Sequence, residues 1–325
     1  DSLAFNYDIN ANTDDGSCCY ETPLIYQIGQ DIDGLLENDQ FGQALALSGD
    51  GNVLAVGARF WDGNTGGGAD GRVHIYEKIN GNWISSVILI GAENSTFGWS
   101  VDLNYDGSTI IIGAPTYGSS GSSGSPGTSG GGYARILQNI NGNWIQKGQD
   151  IYGLPYAPGH KSVAINNSGN IIAFCSDFNY TSSDVMIYKF NNENWIEFGT
   201  NSVSGINIIG WTGSKSVSLS DDGYTISIGN AYTNNNSGEV SVFNYDGSGT
   251  WNQLGQTLTG SSPTGITNDN FGYEVSLNSE GSRLAVAARW SDVNGNNSGA
   301  AYVYEIIDNS WTQLGQIIAA ENEND

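Results

Sequence analysis

Histidine and cysteine, the side chains that most often ligate metals or attack substrates, number only two and three in these 325 residues. No HExxH or GxSxG pattern occurs, and no glycine loop ends in the lysine that cradles phosphate. His74 falls where the other copies of a repeat described below have Arg135, Met186, Ser241 and Tyr302, which marks it as an ordinary surface position; His160 reads as an unusual loop residue. Basic residues are also few. Ten Lys and Arg against 34 Asp and Glu give a net charge of −24 and a pI near 4.1. Such a surface repels phosphate backbones and anionic membranes, so nucleic acid is not expected as a partner. No apolar run approaches the ~20 residues of a membrane-spanning helix, so membrane insertion is not expected either. The chain does not start with Met and shows no signal peptide, as a processed or excised piece of a longer polypeptide would. Cys18, Cys19 and Cys175 make an odd count, which in an extracellular chain suggests a missing partner.

Glycine is abundant at 46, and 38% hydrophobic with 11% aromatic residues is enough for a core. Much of this sequence falls into five imperfect copies of about 57 residues, beginning near positions 41, 97, 159, 213 and 271. Their turn glycines are Gly51, Gly107, Gly169, Gly223 and Gly281; a second landmark is Trp83, Trp144, Trp195, Trp251 and Trp311. Each copy reads as four strands, A to D. Strand A alternates, as in Leu45/Leu47 and Val101/Leu103, the period of a pleated strand with one buried face. Strand B is a short apolar run such as LAVGA, C alternates again, and D carries the Trp. Both the A–B connections (Asp50-Gly51, Asp106-Gly107) and the C–D connections (Asn80-Gly81, Asn141-Gly142, Asp246-Gly247) predict two-residue hairpin turns, which need positive φ. The B–C and D–A connections are longer. One end of the molecule is therefore trimmed to turns, and the other collects the long loops, where binding usually sits. The expected fold is all-β, a β-propeller of four-stranded antiparallel blades with strand A nearest the axis. Because the D-like segment IYQIGQDIDG precedes the first copy, the five visible repeats are either a five-bladed ring with one spare strand or part of a six- or seven-bladed one.

One repeat position stands out for function. Just after strand B come Phe60, Thr116, Phe178, Tyr232 and Trp290, with Trp61, Tyr117 and Tyr180 beside them and Asp62 and Asp292 close by. Aromatic rings flanked by carboxylates suit sugars, whose apolar faces stack while their hydroxyls take hydrogen bonds. The plain alternative is packing between blades. Phe60, Trp61, Asp62, Tyr117, Phe178, Tyr180, Tyr232, Trp290 and Asp292 are the expected ligand-binding residues. No catalytic residue is identified, and the chain is expected not to be an enzyme. Cys175 aligns with Gly57, Gly113, Gly229 and Ala287, the mark of a small buried thiol. The Trp landmarks follow the C–D turns, away from the long loops, and read as packing.

The pattern FG…V.LS.DG…AVGA followed by G.V.VY resembles the FG-GAP repeat of integrin α-subunit propellers and of many bacterial and algal surface proteins. The likeness runs from about Leu24 to Ile318. It implies an extracellular or cell-surface module for adhesion or carbohydrate binding, with a glycan or a cell-surface protein as partner; a carbohydrate-active propeller enzyme or a structural spacer is the alternative. In the integrin-like pattern the A–B connection carries an Asp-rich calcium loop. Here it is cut to SGDG, NYDG, NNSG, SDDG and NSEG, too few carboxylates for six to eight oxygen ligands, so no cofactor is expected in the blades. Residues 1–22 form a separate Asp- and Asn-rich module before a propeller at 23–325. DSLAFNYDINANTDDGSCCY resembles a short cysteine-bounded element of marine bacterial surface proteins, in which Cys18 would pair with a cysteine upstream. The spacing of Asp8, Asn10, Asn12, Asp14 and Asp15 is loosely that of a Ca2+ loop over residues 8–16, against the plainer alternative of a solvated turn.

Overall fold

The computed structural model describes residues 27–63, 68–115, 132–154, 162–179, 182–199, 215–260 and 269–319. The first sheet comprises β1 (Phe41–Leu47), β2 (Val53–Ala58), β3 (Arg72–Ile79) and β4 (Asn82–Ile90); the second β5 (Ser100–Leu103), β6 (Thr109–Ala114), β7 (Gly132–Ile140) and β8 (Asn143–Gln146), with β9 (Ile151–Leu154) also on β7. The third is β10 (Val163–Ile165), β11 (Ile171–Asn179), β12 (Ser182–Asn191) and β13 (Asn194–Glu197). The fourth is β14 (Lys215–Leu219), β15 (Thr225–Asn230), β16 (Glu239–Tyr245) and β17 (Trp251–Gln253), with β18 (Leu258–Thr259) on β16 and a helical turn α1 (Thr233–Asn236) between β15 and β16. The fifth is β19 (Phe271–Leu277), β20 (Arg283–Ala288), β21 (Ala300–Ile307) and β22 (Ser310–Gln313), with β23 (Ile318–Ala319) on β21. Each sheet pairs its strands antiparallel in chain order, the blade architecture of a β-propeller.

Strand D is split in most blades for a local reason. Four residues after the Trp stand Gly148, Gly255 and Gly315, all at positive φ, and they separate β8 from β9, β17 from β18 and β22 from β23. In the first blade Val87 holds that place and β4 runs unbroken for nine residues. The glycine also makes room for the next blade. A Cβ on Gly148 would lie 2.7 Å from Cδ1 of Trp195, and one on Gly255 equally close to Cδ1 of Trp311. The following glutamine then grips that Trp: Gln149 Nε2 donates to the Trp195 carbonyl at 2.7 Å while its Oε1 accepts from the Trp195 N–H at 2.9 Å. Gln256 holds Trp311 in the same way, and Gln30 holds Trp83. The Trp landmarks are thus inter-blade packing, with Trp195 and Trp311 almost fully buried.

The C–D connections of the first, second and fifth blades are two-residue turns with both residues at positive φ: Asn80-Gly81, Asn141-Gly142 and Asp308-Asn309. The fourth departs from expectation. Tyr245 pairs with Trp251 across a five-residue loop, because the Asp246 carboxylate folds the insertion onto itself by accepting N–H bonds from Ser248 and Thr250. The A–B connections are not two-residue turns either. Gly51 N–H donates to the Ser48 carbonyl, closing a four-residue turn, and Ser48 Oγ accepts from the Val53 N–H at 2.9 Å. Asn104, Asn166, Ser220 and Asn278 repeat that side-chain bond to Thr109, Ile171, Thr225 and Arg283. Asp50 accepts from the Ser48 hydroxyl and from Asn52, and these bonds, the first above all, hold its carboxyl below the ordinary value.

Four buried clusters join the first sheet to the second, the second to the third, the third to the fourth and the fourth to the fifth. Ile110, Ile111 and Ile112 are fully buried because β6 packs on both faces; each contributes about 1.5–3 kcal/mol. Cys175 is buried, as its alignment with glycines implied. The A strands of successive sheets contact one another. Their A–B turns are stitched by backbone bonds, Asp50 N–H to Tyr105, Tyr105 to Asn167, Asn167 to Asp221 and Asp221 to Ser279, all within 2.9–3.2 Å.

Candidate functional site

The antiparallel order puts the start of strand A, the B–C loop and the far end of strand D at one end of each blade. There the FG motif locks blades together. Phe97 bridges Gly71, and Phe271 bridges Gly238, as parallel pairs at the entry to the preceding strand C. Phe97 and Phe271 are almost fully buried.

Two arginine–aromatic groups sit on this frame, on the blades where B–C loops begin Ala-Arg-aromatic. In the first blade the Arg59 guanidinium lies 3.9 Å from the ring centroid of Trp99 and 4.9 Å from that of Phe60, and its Nε donates to Gln40 at 2.7 Å. Trp61 takes Arg72 over its ring at 5.2 Å, and Arg72 pairs with Asp39 at 3.1 Å, both charged groups buried. In the fifth blade Arg289 lies 4.2 Å from the centroid of Trp290 and 4.3 Å from that of Tyr273, donating to the Tyr273 hydroxyl at 2.6 Å. Tyr232 comes from the fourth blade to the same group, and its charge when ionised adds to the burial that raises the Tyr273 hydroxyl. The backbone fixes both loop roots alike: Phe60 N–H donates to the Asp39 carbonyl and Trp290 N–H to that of Asp269.

Phe60 is 38% exposed, while Trp61, Tyr232 and Trp290 are half-buried; none of these rings is sealed between blades. Asp62 is exposed, and Asp292 caps its own loop by accepting from the Asn297 N–H at 2.8 Å. Among the described residues the expected positions fall into two groups, Phe60, Trp61 and Asp62 on the first blade and Tyr232, Trp290 and Asp292 on the fourth and fifth. Tyr117 and Tyr180 lie outside the described residues, as do the side chain of Phe178 and the whole set Asp8, Asn10, Asn12, Asp14 and Asp15. Among the described residues no three His, Cys, Asp or Glu side chains gather as a metal site. Arg59, Arg289, Trp99 and Tyr273 were missed. The shared Ala-Arg-aromatic string of the first and fifth copies carried the signal for the arginines.

His74 corrects an expectation. It is almost fully buried, edge-on to Phe41 at 5.2 Å and stacked near Tyr76. Burial first, then the Arg72 charge, lower its pKa, and Nε2 has no hydrogen-bond partner among the described residues. Variation between copies misled because Arg135, Ser241 and Tyr302 at this position face different neighbours in different blades. Asp269, the counterpart of Asp39, is also buried, but Ala300 stands where the first blade has Arg72. Burial, then the Asp292 charge, raises its carboxyl above the usual range, against an opposing bond from the Asp292 N–H.

The FG-GAP repeat model matches residues 33–76 and 258–304, which span the first and fifth A–B–C units. No match was found among curated proteins. Among solved structures, a periplasmic gluconolactonase from Pseudomonas aeruginosa superposes with a TM-score of 0.55 at 18% identity, over 87% of this chain and 73% of that one. TolB from Acinetobacter baumannii gives 0.47 at 11%, over 84% of this chain and 53% of its own. A Bacteroides fragilis protein described as a 6-phosphogluconolactonase gives 0.47 at 17%, over 86% and 85%. At such identities the likeness carries the fold alone. It is enough to correct one expectation: a fold shared with a gluconolactonase gives no ground for excluding catalysis, and that exclusion is withdrawn. Among the described residues no helix is long and apolar enough to cross a membrane.

Proposed function

We propose that this propeller is an extracellular binding module of a longer surface or secreted protein, with residues 1–22 as a separate module before it. Its ligand, a glycan or a cell-surface protein, meets the long-loop end. The observation that carries the reading is the pair of arginine–aromatic groups, Arg59 with Phe60 and Trp99, and Arg289 with Trp290 and Tyr273. Each offers a partly exposed ring braced from one side by a cation, the arrangement on which a sugar face stacks. The test is a glycan-array and cell-surface binding screen of the wild type, followed by Trp290→Ala and Trp61→Ala. Loss of one stacked ring costs about 1 kcal/mol, so affinity should fall several-fold with the fold intact. Variants that bind as the wild type does, or a wild type that binds nothing in either screen, would end this reading. In residues 8–16, Ca2+ is the proposed ligand, to be checked by calcium titration of the full chain.

A second reading, a carbohydrate-active enzyme, is favoured by Asp269 and Asp292. A buried carboxyl raised in pKa beside a second acid is what a general acid requires. Turnover of glycosides or sugar lactones that disappears in Asp269→Asn would support it. Unchanged turnover in that variant would exclude this pair.

A further inference from the structure

The sheet-to-sheet interfaces draw on a small set of shared parts, and several of those parts stand unused at both ends of the array. On the first sheet, Leu45 and Leu47 are 62% and 56% exposed, whereas Val101 and Val163, the counterparts of Leu45, are 3% and 0%, and Leu103 and Ile165, those of Leu47, are each 6%. A Cβ added at Gly98 or Gly272 would press on the preceding strand C, but one added at Gly42, the first FG glycine, meets nothing within 4 Å. On the fifth sheet, Gly71 and Gly238 each abut the next blade's Phe, while a Cβ on their counterpart Gly299 would meet only Arg289 of its own loop. Gly315 has nothing within 4 Å where Gly148 and Gly255 hold the next Trp. Ala285 is exposed where Ala55 and Ala173 are fully buried. Among the described residues the stitching of A–B turns ends at Ser279.

One strand of the missing partner is already in place. Gln30 grips Trp83 as Gln149 grips Trp195, so residues 27–33 occupy the position of a strand D belonging to a blade before the first. Ile28 in that segment is 61% exposed, as a strand D without its A–C neighbours would be.

We propose that one further blade fills both open faces. Its strand D is residues 27–33, and its strands A to C are a sixth repeat unit following β23 in the same polypeptide. One such unit satisfies the fifth sheet as successor and the first sheet as predecessor. Direct contact of the fifth sheet with the first, within a chain or between two copies, is opposed by Ala287. At the equivalent Gly57 and Gly229, an added Cβ collides with the carbonyl oxygen of the next FG glycine, and Ala287 carries that Cβ. In sequence, the third blade's Cys175 at that position is followed by a fourth copy that begins GS in place of FG. The incoming unit is accordingly one without the FG glycine.

The test extends the full chain after Asp325 with a copy of residues 213–250, the A–C unit that already sits against Cys175. Hydroxyl-radical footprinting, light scattering and thermal melts compare it with the unextended chain. The expected result is a monomer in both cases, a several-fold drop in oxidation of Leu45 and Leu47 on extension, and a higher melting temperature. A second chain carries the same copy between Leu24 and Ile25, where it forms a blade with residues 27–33 by local contacts. Protection there but not in the C-terminal extension overturns closure by one blade. Protection of Leu45 in the unextended chain, as monomer or dimer, overturns the proposal by showing the face already covered. Exposure of Leu45 in both extended chains overturns it also.

Discussion

The first and fifth blades share their FG motif, their Ala-Arg-aromatic loop root and the repeat match, yet they treat the same buried aspartate in opposite ways. Asp39 meets Arg72 across 3.1 Å. Among the described residues Asp269 meets no such cation, Ala300 standing in place of the arginine, and its carboxyl is raised. Repeat landmarks therefore fix where the backbone goes, while single substitutions between them decide which buried charges are compensated. The first blade depends on its ion pair, and the fifth carries a carboxylate that opposes folding when ionised.

The largest effect should come from breaking the compensated side. Arg72→Met leaves Asp39 buried without its partner and should destabilise by about 3–5 kcal/mol, the usual consequence of orphaning a buried charge. Chemical denaturation would measure it, and a loss below about 1 kcal/mol would mean that water reaches Asp39. Next come the two sheets' strand-A residues. Val275, 1% exposed against the fourth blade, should cost roughly 2 kcal/mol as Val275→Ala. Leu45→Ala, at the first sheet's open face, should stay within about 0.5 kcal/mol. Equal losses would show that Leu45 is packed in solution.

The uncompensated side should respond with the opposite sign. For Asp269 the folded pKa lies above the unfolded one. Its penalty is absent below the unfolded value, grows as pH rises towards the folded value, and is constant above it. Asp269→Asn should therefore raise the denaturation midpoint at pH 7 and leave it unchanged near pH 3. A gain of the same size at both pH values would point to packing as the cause. The bonds that Asp292 makes would have to be re-measured in the variant, since its charge contributes to the shift.

Much of this molecule could be read in advance. Period-two alternation and five recurrent Gly and Trp landmarks were enough for four strands per blade, and the two-ended arrangement followed from loop lengths. The A–B turns were misjudged because Asp-Gly was given the weight. The deciding residues are Ser48, Asn104, Asn166, Ser220 and Asn278 three positions earlier, whose side chains close the turn. The loop-root aromatics were visible as a column, whereas the arginines that brace them left only the weaker signal of an Ala-Arg-aromatic string in two of the five copies. The buried Asp39–Arg72 pair and buried His74 were hidden for another reason. Their burial depends on Phe41 and the loop root folding over strand C, a contact that no periodicity encodes.

The smallest expected effect concerns the C–D turns of these same two blades. Both are two-residue turns with positive φ at each residue, yet the first uses Asn80-Gly81 and the fifth Asp308-Asn309. At the second turn position φ is 82° for Gly81 and 60° for Asn309. A residue with a Cβ is strained there by contact with its own backbone, less so for asparagine than for most. Glycine removes that strain but loses more chain entropy on folding, which limits the gain. Asn309→Gly should accordingly stabilise by about 0.5 kcal/mol, and Gly81→Asn should lose a similar amount. An added Cβ at Gly81 meets nothing within 4 Å, so no neighbour confuses the reverse change. Denaturation midpoints of the two variants should move in opposite directions. Movement in the same direction would mean that the turn sequence acts through something other than backbone conformation, with the Asp308 side chain the first group to remove.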